Sequence, residues 1–241
     1  MSEEEKSSVE VGLERIEPLY KMSGMKEVVR ESFGEEVEQM IEYHLDKGLE
    51  GNSLIMLLSL SFYNLLWSSF PGEKGEEKEE KEELERKREI FVNRISNQLS
   101  FSEVFSDKLH AYELANDFLV FFSKLGEKSN SYSISQPFSS ILLDFFSQVF
   151  KLEGEEESKS RVLLATSKSV LAHVLPQNFV FAILSHFSRQ GKHSPIVKQF
   201  LSLLREQLPP SKLSNEHVYI LGALKLVCFF QTDFHSPFTL N

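Results

Sequence analysis

Apolar residues recur along most of this chain at the three- and four-residue spacing that is typical of amphipathic helices. Alternating apolar and polar runs between Asn-Gly or Asp-Gly turns, which would predict β-hairpins, are missing. Most apolar stretches begin near Ser, Asn or Gln and end near Gly or Pro, as helices do. The best-defined predicted helices span about residues 53–70, 102–126, 136–153, 158–175, 178–191, 194–209 and 214–230. With less regular helices near the N-terminus, the sequence predicts an all-α fold of about ten antiparallel helices.

The predicted helices of the C-terminal half start at regular intervals. Counted from Gln136 to Ser158, to Gln177, to Ser194 and to Ser214, successive starts lie about 22, 19, 17 and 20 residues apart, so a pair of helices takes about 36 to 41 residues. HEAT and armadillo arrays have a similar spacing, because two antiparallel helices with short turns need about 40 residues. Any compact antiparallel bundle gives the same spacing, and no consensus recurs from pair to pair. A HEAT- or armadillo-like array and an irregular helical bundle therefore both remain open.

A charged segment separates two groups of predicted helices. Residues 71–88 start with Pro-Gly and contain one apolar residue, Leu84, so the segment cannot bury a face. It predicts an exposed acidic linker that leads into the start of a charged helix. The predicted parts are an N-terminal helical lobe at 1–70 with a disordered tail at 1–8, the linker at 71–88, a main helical-repeat domain at 89–231 and a C-terminal tail at 232–241.

Charge is distributed unevenly along the chain. The net charge is −10 overall, yet residues 158–241 hold 9 Lys and Arg against 3 Asp and Glu, a net charge of +6. Within that region, five cations are predicted to form a basic patch for a protein partner with an acidic surface: Arg189, Lys192, Lys198, Arg205 and Lys212. The acidic balance of the whole chain disfavours nucleic acid as the partner, because nucleic-acid binders normally carry a clearly basic domain.

One predicted helix carries a row of acidic residues and a histidine. Spacings of three and four place five of them on one helical face: Glu103, Asp107, His110, Glu113 and Asp117. Asp107 and His110 have the three-residue offset that di-iron bundles use, which makes them weak candidates for metal ligands. Such a site needs a second motif, and the sequence contains none. We therefore expect a solvated acidic face, with no metal and no cofactor.

Other catalytic signatures are missing from the sequence. There is no Gly-x-Ser-x-Gly elbow, no Gly-rich phosphate loop and no His pair at metalloprotease spacing. The single cysteine, Cys228, lies among apolar residues and is expected to fill a core position. The sequence therefore predicts no catalytic residue, although it does not decide whether the protein is an enzyme.

These observations favour a non-enzymatic, helical-repeat protein–protein interaction module, an adaptor or subunit of an intracellular assembly. Two alternatives remain: a helical enzyme or small-ligand carrier with a pocket between helices, and a peripheral membrane or phospholipid adaptor. The start of the chain is acidic and resembles neither a signal nor a transit peptide, which predicts a cytoplasmic or nuclear protein. The most apolar stretch, 54–70, is too short and polar to predict a membrane-spanning helix.

Overall fold

The described part of the chain is entirely helical. The computed structural model describes residues 52–69, 78–124, 134–186 and 192–207 and the single positions 39, 42 and 43. Within these residues there is no strand, so the predicted all-α class is confirmed for this part. The helices with described bounds are α1 (Asn52–Ser68), α2 (Lys78–Phe101), α3 (Phe105–Lys124), α4 (Gln136–Lys151), α5 (Glu156–Leu171), α6 (Gln177–Ser185) and α7 (Ser194–Gln207). None of them is both long and apolar enough to cross a bilayer.

The chain divides into two compact units, residues 1–121 and 122–241. Helices α1, α2 and most of α3 belong to the first unit, and α4 to α7 belong to the second. Helix α2 begins at Lys78, within the segment 71–88 that was expected to lead into a charged helix. The predicted helix over 214–230 lies outside the described residues.

The first unit is held together by apolar contacts between α1 and α2. Leu57 and Leu58 are adjacent on α1 and both are fully buried, so this helix is covered on more than one side. The ring of Phe62 on α1 lies 6.2 Å from that of Phe91 on α2, which in turn lies 5.2 Å from Phe118 on α3. Aromatic contacts at these separations are favourable beyond the area they bury. A row of three rings therefore joins all three helices.

The second unit is built around α5, which packs against α4, α6 and α7. Its buried positions carry mostly small side chains: Ser158, Val162, Leu163, Ala165, Thr166, Ser167, Ser169 and Val170. The hydroxyls of Thr166 and Ser169 donate to the carbonyls of Val162 and Ala165, one turn earlier, at 2.6 and 3.3 Å. Bonds of this kind satisfy a buried hydroxyl within its own helix. Small side chains let three helices approach α5 without leaving these two hydroxyls unpaired.

Serines mark one helix start correctly and another wrongly. Ser135 is the N-cap of α4, next to the predicted start at 136, and its hydroxyl accepts a hydrogen bond from the Phe138 N–H at 3.4 Å. Ser102, where the predicted helix 102–126 begins, does not cap α3. Its hydroxyl accepts from the Val104 N–H at 3.2 Å within a short turn, and α3 starts only at Phe105. A serine three residues before a helix can bond the turn instead of the helix.

Two turns of the second unit use left-handed backbone. Gly154, between α4 and α5, has φ of 80°, which glycine adopts without strain. His173, after α5, has φ of 60°, which costs a residue with a side chain about 1–2 kcal/mol. The N–H groups of His173 and Val174 bond the last carbonyls of α5, at 2.9 and 3.1 Å. These bonds terminate α5 and hold His173 in its strained conformation.

Candidate functional site

Three of the five predicted partner-binding cations lie on the surface of the second unit. Lys192 precedes α7, and Lys198 and Arg205 lie seven residues apart within it, which places them on the same side of the helix. All three are exposed. Arg189 and Lys212 lie outside the described residues. The described residues thus contain three of the five cations of the predicted basic patch, which we call the α7 basic face: Lys192, Lys198 and Arg205.

The orientation of α7 is set by the apolar residues on its other side. Val197, Phe200 and Leu204 are 0, 2 and 9% exposed, and α7 packs against α5. Burying three such side chains contributes several kcal/mol, at about 1.5–3 kcal/mol for each. Because this packing fixes the rotation of the helix, Lys198 and Arg205 are directed away from the core.

An acidic residue lies near Lys192. Glu156, at the start of α5, accepts a hydrogen bond from Lys159 Nζ at 3.3 Å and has Nε2 of His193 3.0 Å from its other oxygen. The hydrogen bond from Lys159, with the positive charges of Lys159, His193 and Lys192, holds the pKa of Glu156 below its ordinary value. The charge of Lys192 therefore acts partly on Glu156.

His186 packs against phenylalanine rings in the neighbourhood of His193 and Lys159. The His186 ring stacks on Phe150 with centroids 3.8 Å apart and lies 5.7 Å from the Phe146 ring. Burial among these rings lowers the pKa of His186 to about 4, and the positive charges of His193 and Lys159 act in the same direction. His186 is therefore neutral at pH 7 and serves there as a packing residue.

Ser160, His193 and Glu156 stand in the order of a nucleophilic site, but the Ser160 hydroxyl bonds the backbone of its own helix. Ser160 Oγ lies 3.2 Å from Nδ1 of His193, whose Nε2 lies 3.0 Å from Glu156 Oε2. The Ser160 hydroxyl, however, donates its single proton to the Glu156 carbonyl at 2.9 Å. Within the described residues, Nε2 of His193 is buried and lacks a well-aligned hydrogen bond, although it lies close to Glu156 Oε2. We interpret the group as a polar clamp that ties the turn before α7 to the first turn of α5.

The candidate metal ligands of the first unit face different environments. Asp107 is 2% exposed, which contradicts the expectation that it lies on a solvated acidic face, whereas His110 is exposed. Nδ1 of His110 lies 3.3 Å from the Ser106 carbonyl, in the preceding turn. Across the described ranges, no group of three or more His, Cys, Asp or Glu is placed to hold a metal ion. Asp107 is the member of the predicted row with an unusual environment.

Asp107 lines an open cleft of about 540 Å³ between α1, α2 and the turn that joins α2 to α3. Ligand pockets in proteins have volumes of this order. The lining residues, which we call the α2–α3 cleft, are Leu54, Leu58, Arg94, Asn97, Gln98, Phe101, Ser102, Glu103, Val104 and Asp107. Phe101 and Val104 are 79 and 49% exposed, so two apolar side chains flank the opening. The cleft thus combines an apolar rim with a buried carboxyl group.

The sequence predicted neither the contact between Ser160 and His193 nor the burial of Asp107 in the α2–α3 cleft. Ser160 and His193 are 33 residues apart, and no local spacing connects them. The sequence placed Glu103 and Asp107 on one helical face, which was expected to be solvated. Its helical spacing could not tell which member would be buried against α1 and α2.

Comparison with known proteins identifies no family for this chain. No protein-family model matches it, and no curated protein is a significant match. Functional conclusions therefore depend on the geometry of the α7 basic face and the α2–α3 cleft.

Proposed function

We propose that this protein is a non-enzymatic interaction module, an adaptor or subunit of an intracellular assembly, that recognises an acidic surface on a protein partner. Its fold would be a stack of about ten helices, arranged as a HEAT- or armadillo-like array or an irregular bundle. Such helical surfaces commonly bind partners along one face.

The observation that carries the proposal is the outward placement of Lys198 and Arg205 on a helix whose other side is buried. Because the helix itself is fixed by packing, it presents these two side chains on one side and needs little backbone rearrangement on binding. Exposed charges at an interface mainly accelerate association, and salt weakens the effect. The α7 basic face therefore suits a partner that is captured electrostatically.

A ligand carrier remains the second candidate, because the α2–α3 cleft has the volume of a small-molecule site and is lined by a buried carboxyl group at Asp107. The ligand of this second candidate would bind to the first unit, whereas the α7 basic face belongs to the second unit. Changes to the α7 basic face would leave a cleft ligand unaffected.

The proposal is tested by recovering partners from an extract of the protein's own cells with wild type and with Lys198→Glu/Arg205→Glu. Lys192 is left in place because its charge also acts on Glu156. The matched control is Lys151→Glu/Lys168→Glu, which reverses two exposed lysines of α4 and α5 and changes the net charge equally.

We expect the α7 variant to lose an acidic partner that both the wild type and the control variant retain. Equal loss in both variants would mean that net charge alone governs capture. Equal recovery in all three would contradict the role of the α7 basic face. Circular dichroism checks that each variant keeps its helix content.

A further inference from the structure

Asp107, one of the residues that line the α2–α3 cleft, has a buried carboxyl oxygen without a hydrogen-bond partner in the described part of the chain. Asp107 is 2% exposed, and its Oδ2 has no hydrogen-bond partner in the described part of the chain. Its Oδ1 accepts only a long hydrogen bond, 3.4 Å, from the neighbouring Ser106 hydroxyl. A buried carboxyl oxygen without a donor costs more than an ordinary lost hydrogen bond. Such atoms are few in native proteins, and a bound water, ion or other group is one explanation for them.

The charges around the cleft favour a cation. Glu103 and Asp107 contribute two carboxyl groups, whereas Arg94 is the one cation among the lining residues and takes part in another interaction. An ammonium or guanidinium group supplies the donors that Asp107 lacks. A bare metal ion fits less well, because no set of three ligands is present among the described residues.

The apolar side chains at the opening of the α2–α3 cleft indicate what kind of molecule would bring a cation there. Phe101 is 79% and Val104 49% exposed at the opening, and Leu54 and Leu58 contribute apolar wall. An aliphatic stem can lie against such surface while its charged end reaches a polar group. A ligand with apolar groups on both sides of the stem would cover Phe101 and Val104. A single alkylamine is too small to cover them. A peptide with apolar neighbours around a lysine has this chemistry.

We propose that the α2–α3 cleft binds a lysine side chain of a partner peptide, with the ammonium group donating to Asp107 and the flanking apolar residues resting on Phe101 and Val104. The inference rests on the proposed function in taking the occupant to be a protein. It uses the first unit, whereas the α7 basic face belongs to the second.

Asp107 also has a structural role that the test must separate from binding. It lies in the first turn of α3, where a negative charge is favourable at the positive end of the helix dipole. Replacing it can therefore lower stability without any ligand. For this reason the test needs a binding readout and variants at exposed positions.

The experiment is an amide NMR titration of the full chain with an acetylated and amidated Leu-Lys-Leu peptide. The same peptide with norleucine for lysine, and n-butylamine, are the comparison probes. We expect saturable shifts at the amides of Gln98, Ser102 and Val104 with the lysine peptide, and none with the norleucine peptide. The n-butylamine probe should cause the same shifts only at much higher concentration.

Variants then identify the groups responsible. Asp107→Asn should weaken peptide binding about tenfold to a hundredfold, because a charge-assisted hydrogen bond is lost. The exposed Glu103→Gln should weaken it about two- to fivefold. Phe101→Ala should weaken binding of the peptide but not of n-butylamine. The matched control Asp144→Asn, an exposed charge in the second unit, should have no effect.

The outcomes separate the possible errors. Absence of saturable shifts, or equal binding of the norleucine peptide, overturns the cation site. If n-butylamine binds as tightly as the peptide, the occupant is a small amine and the peptide assignment is wrong. If Asp107→Asn does not fold, Glu103→Gln and Phe101→Ala decide, and wild-type affinity in both overturns the proposal. Lys198→Glu/Arg205→Glu should bind the peptide normally, so failure of the α7 basic face would be recognised separately.

Discussion

His186 should make the stability of this protein fall as the pH is lowered from 6.5 towards 4. In the unfolded chain a histidine takes up a proton near pH 6.5, whereas burial against Phe150 and the nearby positive charges lower the pKa of folded His186 to about 4. Between these values the unfolded chain binds the extra proton, so protonation favours unfolding. The contribution is complete above pH 6.5 and is lost as the pH falls through 4.

The magnitude follows from the separation of the two pKa values. One pKa unit corresponds to about 1.4 kcal/mol, so a fall from 6.5 to about 4 corresponds to a loss of about 3 kcal/mol in the free energy of unfolding. That is a large fraction of the 5–15 kcal/mol typical of a folded protein. The lowered pKa of Glu156 acts in the same sense at the acid end of this range.

The perturbation is His186→Phe, which keeps an aromatic ring on Phe150 and removes the titrating group. Urea unfolding, followed by circular dichroism at several pH values, should show a loss of stability between pH 7 and 4 that is about 3 kcal/mol larger in wild type than in the variant. Other titrating groups are common to both proteins and largely cancel in this difference.

A second variant tests the cause. Phe150→Leu removes the stacked ring and should raise the pKa of His186 towards 6.5 in an NMR titration of its ring proton. Parallel stability profiles for wild type and His186→Phe across this pH range would refute the reasoning. So would a His186 pKa near 6.5 in the wild-type protein.

Three further substitutions test the turns and the core of the second unit. Gly154→Ala should lower the free energy of unfolding by about 1–2 kcal/mol, because φ is 80° there although no atom lies close enough to clash with the added methyl group. His173→Gly should raise it by up to about 1 kcal/mol by relieving the positive φ, less the entropy that glycine adds to the unfolded chain. Phe146→Ala, at a side chain 1% exposed, should cost about 3–5 kcal/mol. Urea unfolding measures all three, and a change of the opposite sign at Gly154 or His173 would contradict the backbone argument.

Helix positions were predictable where a cap and an apolar face agreed. Ser135 before Pro137, and Ser194 before Pro195, marked the starts of α4 and α7 to within a residue. The turn at Ser102 was not predictable, because a serine hydroxyl can bond either a helix or the turn that precedes it. The presence of a helix can thus be predicted from its capping residue and apolar face. Its exact first residue depends on which of several local hydrogen bonds forms.

The sites were less predictable than the helices, because they depend on packing between distant residues. Helical spacing placed Glu103 and Asp107 on one face, but burial of Asp107 depends on where α1 and α2 lie. The contact between Ser160 and His193 depends on how α7 packs against α5. By contrast, the outward direction of Lys198 follows from the amphipathic pattern of α7 and was foreseeable.

The rate at which the acidic partner associates with the α7 basic face tests the proposed function most directly. The association rate of the recovered partner is measured for wild type and for Lys198→Glu/Arg205→Glu, at low salt and at roughly 0.5 M salt. At the higher salt concentration, charges further apart than a few ångströms are screened from one another. Electrostatic capture predicts that the variant associates more slowly at low salt, by roughly tenfold or less, and that the two rates converge at high salt. Equal association rates at low salt, with both proteins folded, would contradict a role for Lys198 and Arg205 in recognition.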